Sequence, residues 1–316
     1  MAGRRTSVPH QRETVEIDGR SVRVSNLDKV LYPDDGTTKH DVIEHYLEVS
    51  EVMLPQLAGR PLTRKRWPNG VAAEAFFEKN MPRGAPAWVR TVVLDSPGSS
   101  KGRETITYPV LEELAGLIWV ANLAALELHV PQWTVGPRGA VRDPDRLVID
   151  LDPGAPAGLR ECVEVAVAVR ERLAADRLNA VPVTSGSKGL QMYAPVSGRQ
   201  SGEVLRQYAR RLAEELEREL PQLVVSRMTK SLRPGKVLLD WSQNNPAKTT
   251  ICPYSLRGRP QANVACPRAW SELDDPETLR QVHRTDMAAR LEAYGDLAAG
   301  LLARGPGVPT TEARGR

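Results

Sequence analysis

Two aspartates separated by one residue, Asp150 and Asp152, close an apolar run that begins at Leu147. Read as a strand, the run puts Leu147, Ile149 and Leu151 on one face and Val148, Asp150 and Asp152 on the other. Both carboxylates then point the same way, about 6.6 Å apart at roughly 3.3 Å per residue. Like charges at the end of a hydrophobic strand repel, and they are costly to desolvate unless a cation lies between them. Oxygen ligands favour a hard ion such as Mg²⁺ or Mn²⁺. Asp240 ends a second apolar run, Val237 to Leu239, and adds a third carboxylate if the two strands are neighbours. Three such acids can hold two ions roughly 4 Å apart, the clamp of in-line phosphoryl transfer. The plainer alternative is that Asp150 and Asp152 open a turn before Pro153-Gly154, where Asp is common.

A second feature follows. Thr184-Ser185-Gly186-Ser187-Lys188-Gly189 joins two strand-like runs, with small residues that let the backbone approach a ligand, amides to receive oxygens and one Lys for charge. It lacks the spacing of a Walker loop, because a strand rather than a helix resumes after Gly189. A solvated hairpin turn remains the other reading. Arg233 and Lys236 precede Asp240, and Arg257 and Arg259 follow a strand-like stretch from Thr249 to Tyr254. Guanidinium forks beside a metal-binding acid suit triphosphate recognition.

The elements that must position these groups are legible in outline. Glu13 to Ile17 and Arg20 to Val24 flank Asp18-Gly19, a favoured hairpin turn. Thr38 can cap a helix from Lys39 to Leu57, and Pro109 opens another to about Leu126. Between them, Gly59 to Asn69 and the Gly/Ser-rich stretch Asp95 to Arg103 read as exposed basic loops. The middle alternates strand and helix: strands at 147–151, 181–184, 190–194 and 236–241, helices at 159–178 and 202–220. That alternation predicts a mixed α/β sheet covered by helices. Beyond Trp270 the pattern predicts acidic helix to about Leu302.

The 316 residues carry 43 Lys and Arg against 39 Asp and Glu, an excess too small to name a partner. Hydrophobic residues at 41% argue against wholesale disorder. No apolar run approaches the roughly 20 residues needed to cross a bilayer, and the first residues are polar, so a cytoplasmic protein without membrane contact is expected. Cys162, Cys252 and Cys266 are too scattered for a disulfide framework or a zinc site.

The motifs then become recognisable together. Ser25-Asn26-Leu27-Asp28-Lys29-Val30, Thr63-Arg64-Lys65-Arg66-Trp67-Pro68, Phe76-Phe77-Glu78-Lys79-Asn80, Val148 to Pro153, Thr184 to Gly189 and Leu239-Asp240 occur in the family's order. The chain resembles the polymerase domain of bacterial DNA ligase D, a branch of the archaeo-eukaryotic primase superfamily that works in non-homologous end joining, over about Val15 to Trp270. The resemblance implies that Asp150, Asp152 and Asp240 are catalytic and hold two metals, Mn²⁺ in preference to Mg²⁺. It implies that Ser185, Lys188, Arg233, Gln243 and Arg257 line a nucleoside triphosphate. Asn26, Lys29 and Lys39 fall where the family grips a DNA 5′-phosphate, and Phe76 and Phe77 where it stacks on template bases. Asp95 to Arg103 would match the family's mobile loop that helps hold two DNA ends. His129 and Arg66 are further candidates. Gln191 stands where many relatives carry His, which removes a group able to carry a proton while leaving one able to hydrogen-bond.

The reading is therefore an α/β protein with mixed α+β sheets, a primase-polymerase core of two packed sheet-and-helix modules around a central cleft. One domain over 12–302 is expected, with a disordered arm at 1–11 and a disordered tail at 303–316. The expected function is a template-dependent nucleotidyltransferase that adds nucleotides, preferentially ribonucleotides, to DNA ends or short gaps bearing a 5′-phosphate. The alternative is a catalytically weak DNA-end-binding protein. With no Lys-x-Asp-Gly ligase nucleophile, a stand-alone, monomeric, nucleoid-associated polymerase is expected, with Ku and a separate ligase as candidate partners.

Overall fold

The computed structural model describes residues 12–96 and 104–310. The arm expected at 1–11, most of the stretch Asp95 to Arg103, and the tail from 311 onward lie outside the described residues. The N-terminal hairpin pairs β1 (Arg12–Ile17) with β2 (Arg20–Ser25), and Asp18 and Gly19 both take positive φ, the geometry a tight two-residue turn requires. Two short strands, β3 (Val30–Tyr32) and β4 (Thr37–Thr38), lead into the first helix. Thr38 caps that helix in a reciprocal box: its side chain accepts from the Asp41 N–H, and the Asp41 carboxylate accepts from the Thr38 N–H at 2.7 Å. The single helix expected over 39–57 is two, α1 (Lys39–Glu48) and α2 (Ser50–Leu57), with Val49 between them. The Ser50 hydroxyl donates to the Leu47 carbonyl at 2.7 Å, a local bond that competes with the helical ladder at this joint.

The basic run at 59–69 is not an exposed loop. It contains β5 (Thr63–Arg66), which pairs with β6 (Phe76–Glu78). Arg64 is fully buried, with its guanidinium over the Trp119 ring and 3.2 Å from Glu78; Arg60 is buried against Asp145 at 2.6 Å. Stacking and ion pairing satisfy charges that composition alone assigns to solvent. The hairpin of β7 (Thr91–Asp95) and β8 (Thr105–Pro109) follows, so Pro109 ends a strand rather than opening a helix. The helix α3 is confined to Leu114–Asn122, and Ala125–Val130 returns as β9. In β9 the residues Leu126, Leu128 and Val130 alternate with Glu127 and His129, a period of two that the apolar helix before it obscures. With β15 (Thr250–Ile251) at its edge, the first sheet has the order β15-β9-β5-β6.

The second sheet carries the acids. It is built from β10 (Arg146–Pro153), β11 (Val181–Thr184), β12 (Leu190–Pro195), β13 (Val224–Val225) and β14 (Val237–Asp240), with helices α4 (Leu159–Ala175) and α5 (Gly202–Glu219) between them. Its order is β13-β14-β10-β12-β11-β17, where β17 is Cys266–Pro267. One face, with Leu147, Ile149, Leu151, Leu190 and Met192, packs on α4 and α5 as a separate core. The other face contributes Val148, Val183 and Tyr193 to the larger core of the N-terminal module. Each fully buried aliphatic side chain here contributes roughly 1.5–3 kcal/mol. The sheet is thus clamped between two modules, with Asp150 on the face that carries Val148.

Beyond Asp240 lie β15 (Thr250–Ile251), β16 (Asn263–Val264), β17, β18 (Val282–His283) and α6 (Met287–Tyr294). The long acidic helix expected after Trp270 is mostly 3₁₀ turns; Gly295, at φ 64, closes α6 after eight residues. The boundary expected at 302 also needs correction. Residues 303–310 lie along the second core: Val308 is buried, and its N–H and carbonyl bond the Gln200 amide at 2.7 and 2.9 Å. The Pro309 carbonyl accepts from Arg211 at 2.9 Å. A Gly/Pro-rich composition reads as disorder, yet a strap without regular structure satisfies the same backbone groups through side chains. Among the described residues, no helix is long and apolar enough to cross a membrane.

Candidate metal, nucleotide and phosphate sites

The condition set by the sequence, that the two acid-bearing strands be neighbours, holds. β10 pairs antiparallel with β14 so that Asp150 stands directly opposite Asp240, and with β12 so that Asp150 stands opposite Gln191. Residues opposite one another in a sheet share a face. Asp240, Asp150 and Gln191 therefore form one row across three strands. Burial and the neighbouring Asp240 charge push the Asp150 carboxyl up to about 7, against a hydrogen bond from Gln191 that favours its ionised form. The Tyr193 hydroxyl donates to the Gln191 carbonyl oxygen at 2.9 Å, which leaves the Gln191 NH₂ to face Asp150. Asp240 is mostly buried and held on both oxygens: Oδ1 accepts from the Ser242 N–H at 3.0 Å and Oδ2 from Gln243 at 3.0 Å.

Asp152 is different. It lies one pleat further out, exposed, and its Oδ2 is 3.7 Å from the Arg233 guanidinium. Among the described residues, no three Asp, Glu, His or Cys side chains converge around one point. Asp150 and Asp240 face each other, while Asp152 lies beside Arg233. The donor set fits a hard divalent cation: the ligands are carboxylate oxygens, and burial together with the Asp240 charge raises the proton affinity of Asp150, which such an ion offsets.

The loop from Ser185 to Gly189 is a stapled turn. The Ser185 hydroxyl accepts from the Ser187 and Gly189 N–H groups at 3.2 Å, and the Gln281 amide bonds the Gly186 N–H at 2.7 Å and the Gly189 carbonyl at 3.2 Å. Gly189 is demanded by packing, since a Cβ there would lie 2.1 Å from the Leu151 carbonyl oxygen. The loop thus sits directly on the strand segment between the two aspartates. Lys188 points to solvent at its tip. Arg257 donates to the Ser185 carbonyl at 3.0 Å and lies 3.3 Å from Glu127. Glu127 is buried and also accepts from the Gly258 N–H at 3.0 Å and from His129 at 2.8 Å; these bonds hold it at about 2 despite burial. Arg257 accordingly bridges the two sheets. Of the residues expected to line a nucleotide, Ser185, Lys188 and Arg257 gather on the β11–β12 side of Asp150, whereas Arg233 and Gln243 lie on the Asp240 side, bonded near or to the acids. His129 reaches this group only through Glu127.

A separate cluster forms at the start of α1. Asn26, at φ 55, and Lys29 close a turn, with the Lys29 N–H on the Asn26 carbonyl at 3.1 Å. The Lys39 N–H bonds the Lys29 carbonyl at 2.9 Å and so fixes the turn to the helix. Lys39 is buried, and its ammonium donates to the Ser25 carbonyl at 2.6 Å and to Asn122 at 3.4 Å. Burial, reinforced by the charges of Lys29 and Arg66, lowers it to about 8. A buried ammonium crowded by two cations and bonded to neutral oxygens is a site short of negative charge. Arg66 is anchored by the Leu123 carbonyl at 2.8 Å and by Glu78 at 3.1 Å.

Phe76 and Phe77 are both exposed, at 55% and 52%, and lie on opposite faces of β6. Phe77 is paired with Lys65 and its ring is 6.0 Å from that of His129; Phe76 is paired with Arg66, on the side of the cation cluster. The expected pair is therefore two separate apolar surfaces. The sequence reading missed Glu127, Asn122 and Lys248, whose Nζ is 3.9 Å from Asp240. Glu127 was detectable as a polar position in the alternation of β9.

The chain is similar to known proteins. The family described as LigD, primase-polymerase domain, matches residues 38–298. The multifunctional non-homologous end joining protein LigD of Mycolicibacterium smegmatis is 50% identical over 287 residues, which are 90% of this chain and 36% of that protein. The bifunctional non-homologous end joining protein LigD of Bacillus subtilis is 34% identical over 258 residues, 81% of this chain and 40% of that protein. The solved polymerase domain of Mycobacterium tuberculosis ligase D, in complex with DNA, superposes with a TM-score of 0.84 at 49% identity, covering 90% of this chain and 98% of that one. The chain thus spans well under half the length of these curated relatives.

Proposed function

The chain belongs to the LigD primase-polymerase domain family, and we propose that it is a nucleotidyltransferase that extends a primer strand at DNA breaks or short gaps with a 5′-phosphate, in non-homologous end joining or gap-filling repair. The observation that carries the reading is the cross-strand pair Asp150–Asp240 at the foot of a stapled loop flanked by Lys188 and Arg257.

In this reading Asp150, Asp152 and Asp240 hold two divalent ions, preferably Mn²⁺, with Asp152 swinging in from Arg233. The ions, when bound, acidify the primer 3′-hydroxyl and neutralise charge at the α-phosphate and the departing pyrophosphate. Ser185, Lys188 and Arg257 orient the triphosphate from one side of the acid pair. Arg233, released from Asp152, adds a guanidinium from the other. Gln191 favours the ionised form of Asp150 and orients it, and Gln243 holds Asp240 in place by a hydrogen bond. Asn26, Lys29, Lys39 and Arg66 bind the 5′-phosphate, whose charge offsets theirs, and Phe76 and Phe77 offer π faces to bases on either side of β6. Ribonucleotides are the preferred substrates, and Ku and a ligase the working partners.

The test is primer extension on a gapped duplex bearing a 5′-phosphate, comparing ribo- with deoxynucleotides, Mn²⁺ with Mg²⁺, and templated with untemplated addition, with Asp150→Ala as control. Templated, metal-dependent addition that the variant loses supports the proposal. Tight binding to the phosphorylated gap without addition would replace it with an end-binding role.

A further inference from the structure

Asp240 is reached by a cation that none of the roles above uses. The Lys248 ammonium donates to the Ser242 hydroxyl, which itself donates to Asp240 Oδ1, and lies 3.9 Å from Asp240 Oδ2. The loop that presents it is pinned at several points. The Lys248 and Ala247 N–H groups bond the Asn245 carbonyl and side chain, each at 2.9 Å, and the Pro246 carbonyl accepts from the Trp133 indole at 2.9 Å. The backbone is therefore fixed, while the side chain is 43% exposed. Its position is on the β14 side of Asp150, across the row from Gln191 and the Ser185 loop. On that side Pro246, Ala247 and Thr249 border a cavity of about 540 Å³ edged by Lys79, Asp95 and Trp133.

We propose that Lys248 is the internal counter-ion of this site: its ammonium neutralises Asp240 until a divalent cation binds, and it then turns to a backbone phosphate of the primer strand entering along this cavity. The inference rests on the polymerase reading. An ammonium and a divalent cation compete for the same carboxylate, so metal binding drives Lys248 off Asp240. The anion then nearest to its reach is the strand that brings the attacking hydroxyl. Lys248 is thus a positioning residue, with opposite effects on the two ligands.

The experiment measures Mn²⁺ binding by electron paramagnetic resonance without DNA or nucleotide, alongside KM for gapped DNA and for nucleotide. The proteins are wild type, K248M, K248Q and K248R, with D150N as control. A partly exposed ion pair is worth roughly a factor of two to five, so K248M and K248Q should bind Mn²⁺ that much more tightly. They should need about tenfold more DNA, the loss of one charge-assisted contact, at unchanged nucleotide KM. K248R should restore both values. Unchanged Mn²⁺ affinity in both neutral variants, or a defect that falls on nucleotide KM, overturns the proposal. If D150N retains metal binding and extension, the site reading itself fails; if D150N loses both while K248M and K248Q match wild type, only the role of Lys248 fails. K248Q serves where K248M does not fold.

Discussion

Lys39 makes the proposed phosphate pocket sensitive to alkaline pH. Its ammonium is buried beside Lys29 and Arg66 and held at about 8, against an ordinary value of 10.5. It is about nine-tenths charged at pH 7 and about one-tenth at pH 9. A terminal phosphate is already a dianion above pH 7, with its second ionisation near pH 6, so Lys39 is the group whose charge changes in this window. The sign follows directly. Burial favours the neutral amine in the free protein and a bound phosphate favours the ammonium, so binding takes up a proton above pH 8 and none well below it. The preference for a 5′-phosphate over a 5′-hydroxyl should be flat up to about pH 7.5 and fall about tenfold from pH 7 to 9. Lys39→Met should abolish this dependence and, at pH 7, lower the preference about ten- to a hundredfold, the worth of a charge-assisted hydrogen bond. The assay is fluorescence anisotropy of a labelled gapped duplex with either end, at constant ionic strength and without nucleotide. A preference in wild type that stays level to pH 9.5, or a pH dependence that survives in Lys39→Met, would refute the reasoning.

Three further outcomes are expected. Asp150, held at about 7, makes the metal-free fold lose stability as pH rises from about 4 to 7, because the ionised carboxyl is the disfavoured form; Mn²⁺ should therefore raise Tm more at pH 8 than at pH 5.5, and Asp150→Asn should raise the metal-free Tm at pH 8. Removing the Gln191 donor as Gln191→Leu should push the Asp150 carboxyl higher still, so that calorimetric Mn²⁺ affinity at pH 6.5 falls several-fold with little change at pH 9. Gly189→Ala forces a Cβ to 2.1 Å from the Leu151 carbonyl and should cost on the order of 2–4 kcal/mol in denaturant unfolding, with extension impaired as the loop lifts from the strand.

The sequence was most legible where period and chemistry agreed. The alternation around Asp150 places both acids on one face, and the pairing with Asp240 needed only that two apolar runs be adjacent, which β10 and β14 are. The turn at Asp18-Gly19 and the cap at Thr38 follow from local bonds alone. The misreadings share a cause. Arg64 and Arg60 look like solvent-facing charges until a tryptophan ring and two carboxylates, remote in sequence, are seen to cover them. The helix expected through Leu126 overran β9 because a buried helix and a buried strand are equally apolar, and that overrun hid Glu127. The split of Phe76 from Phe77 was half legible: alternation places adjacent strand residues on opposite faces, but not what each face meets. The approach of Arg233 to Asp152 was not legible, since a pattern of side chains fixes which face an acid takes and not which neighbour it meets.

The strap at 303–310 bears on how this protein could be handled at an interface or on a bead. It lies against Val196, Gln200 and Arg211, with Gly305 packed on the Pro195 carbonyl at the end of β12 that is furthest from Asp150, about 13 Å along the strand at roughly 3.3 Å per residue. Val308 is sealed into the core behind the sheet. A linker attached after residue 310 would pull on the end of β12 away from the acid row. Cutting the chain at 302 to make a tidier fragment would instead strip the cover from α5 and expose an apolar seam to aggregation.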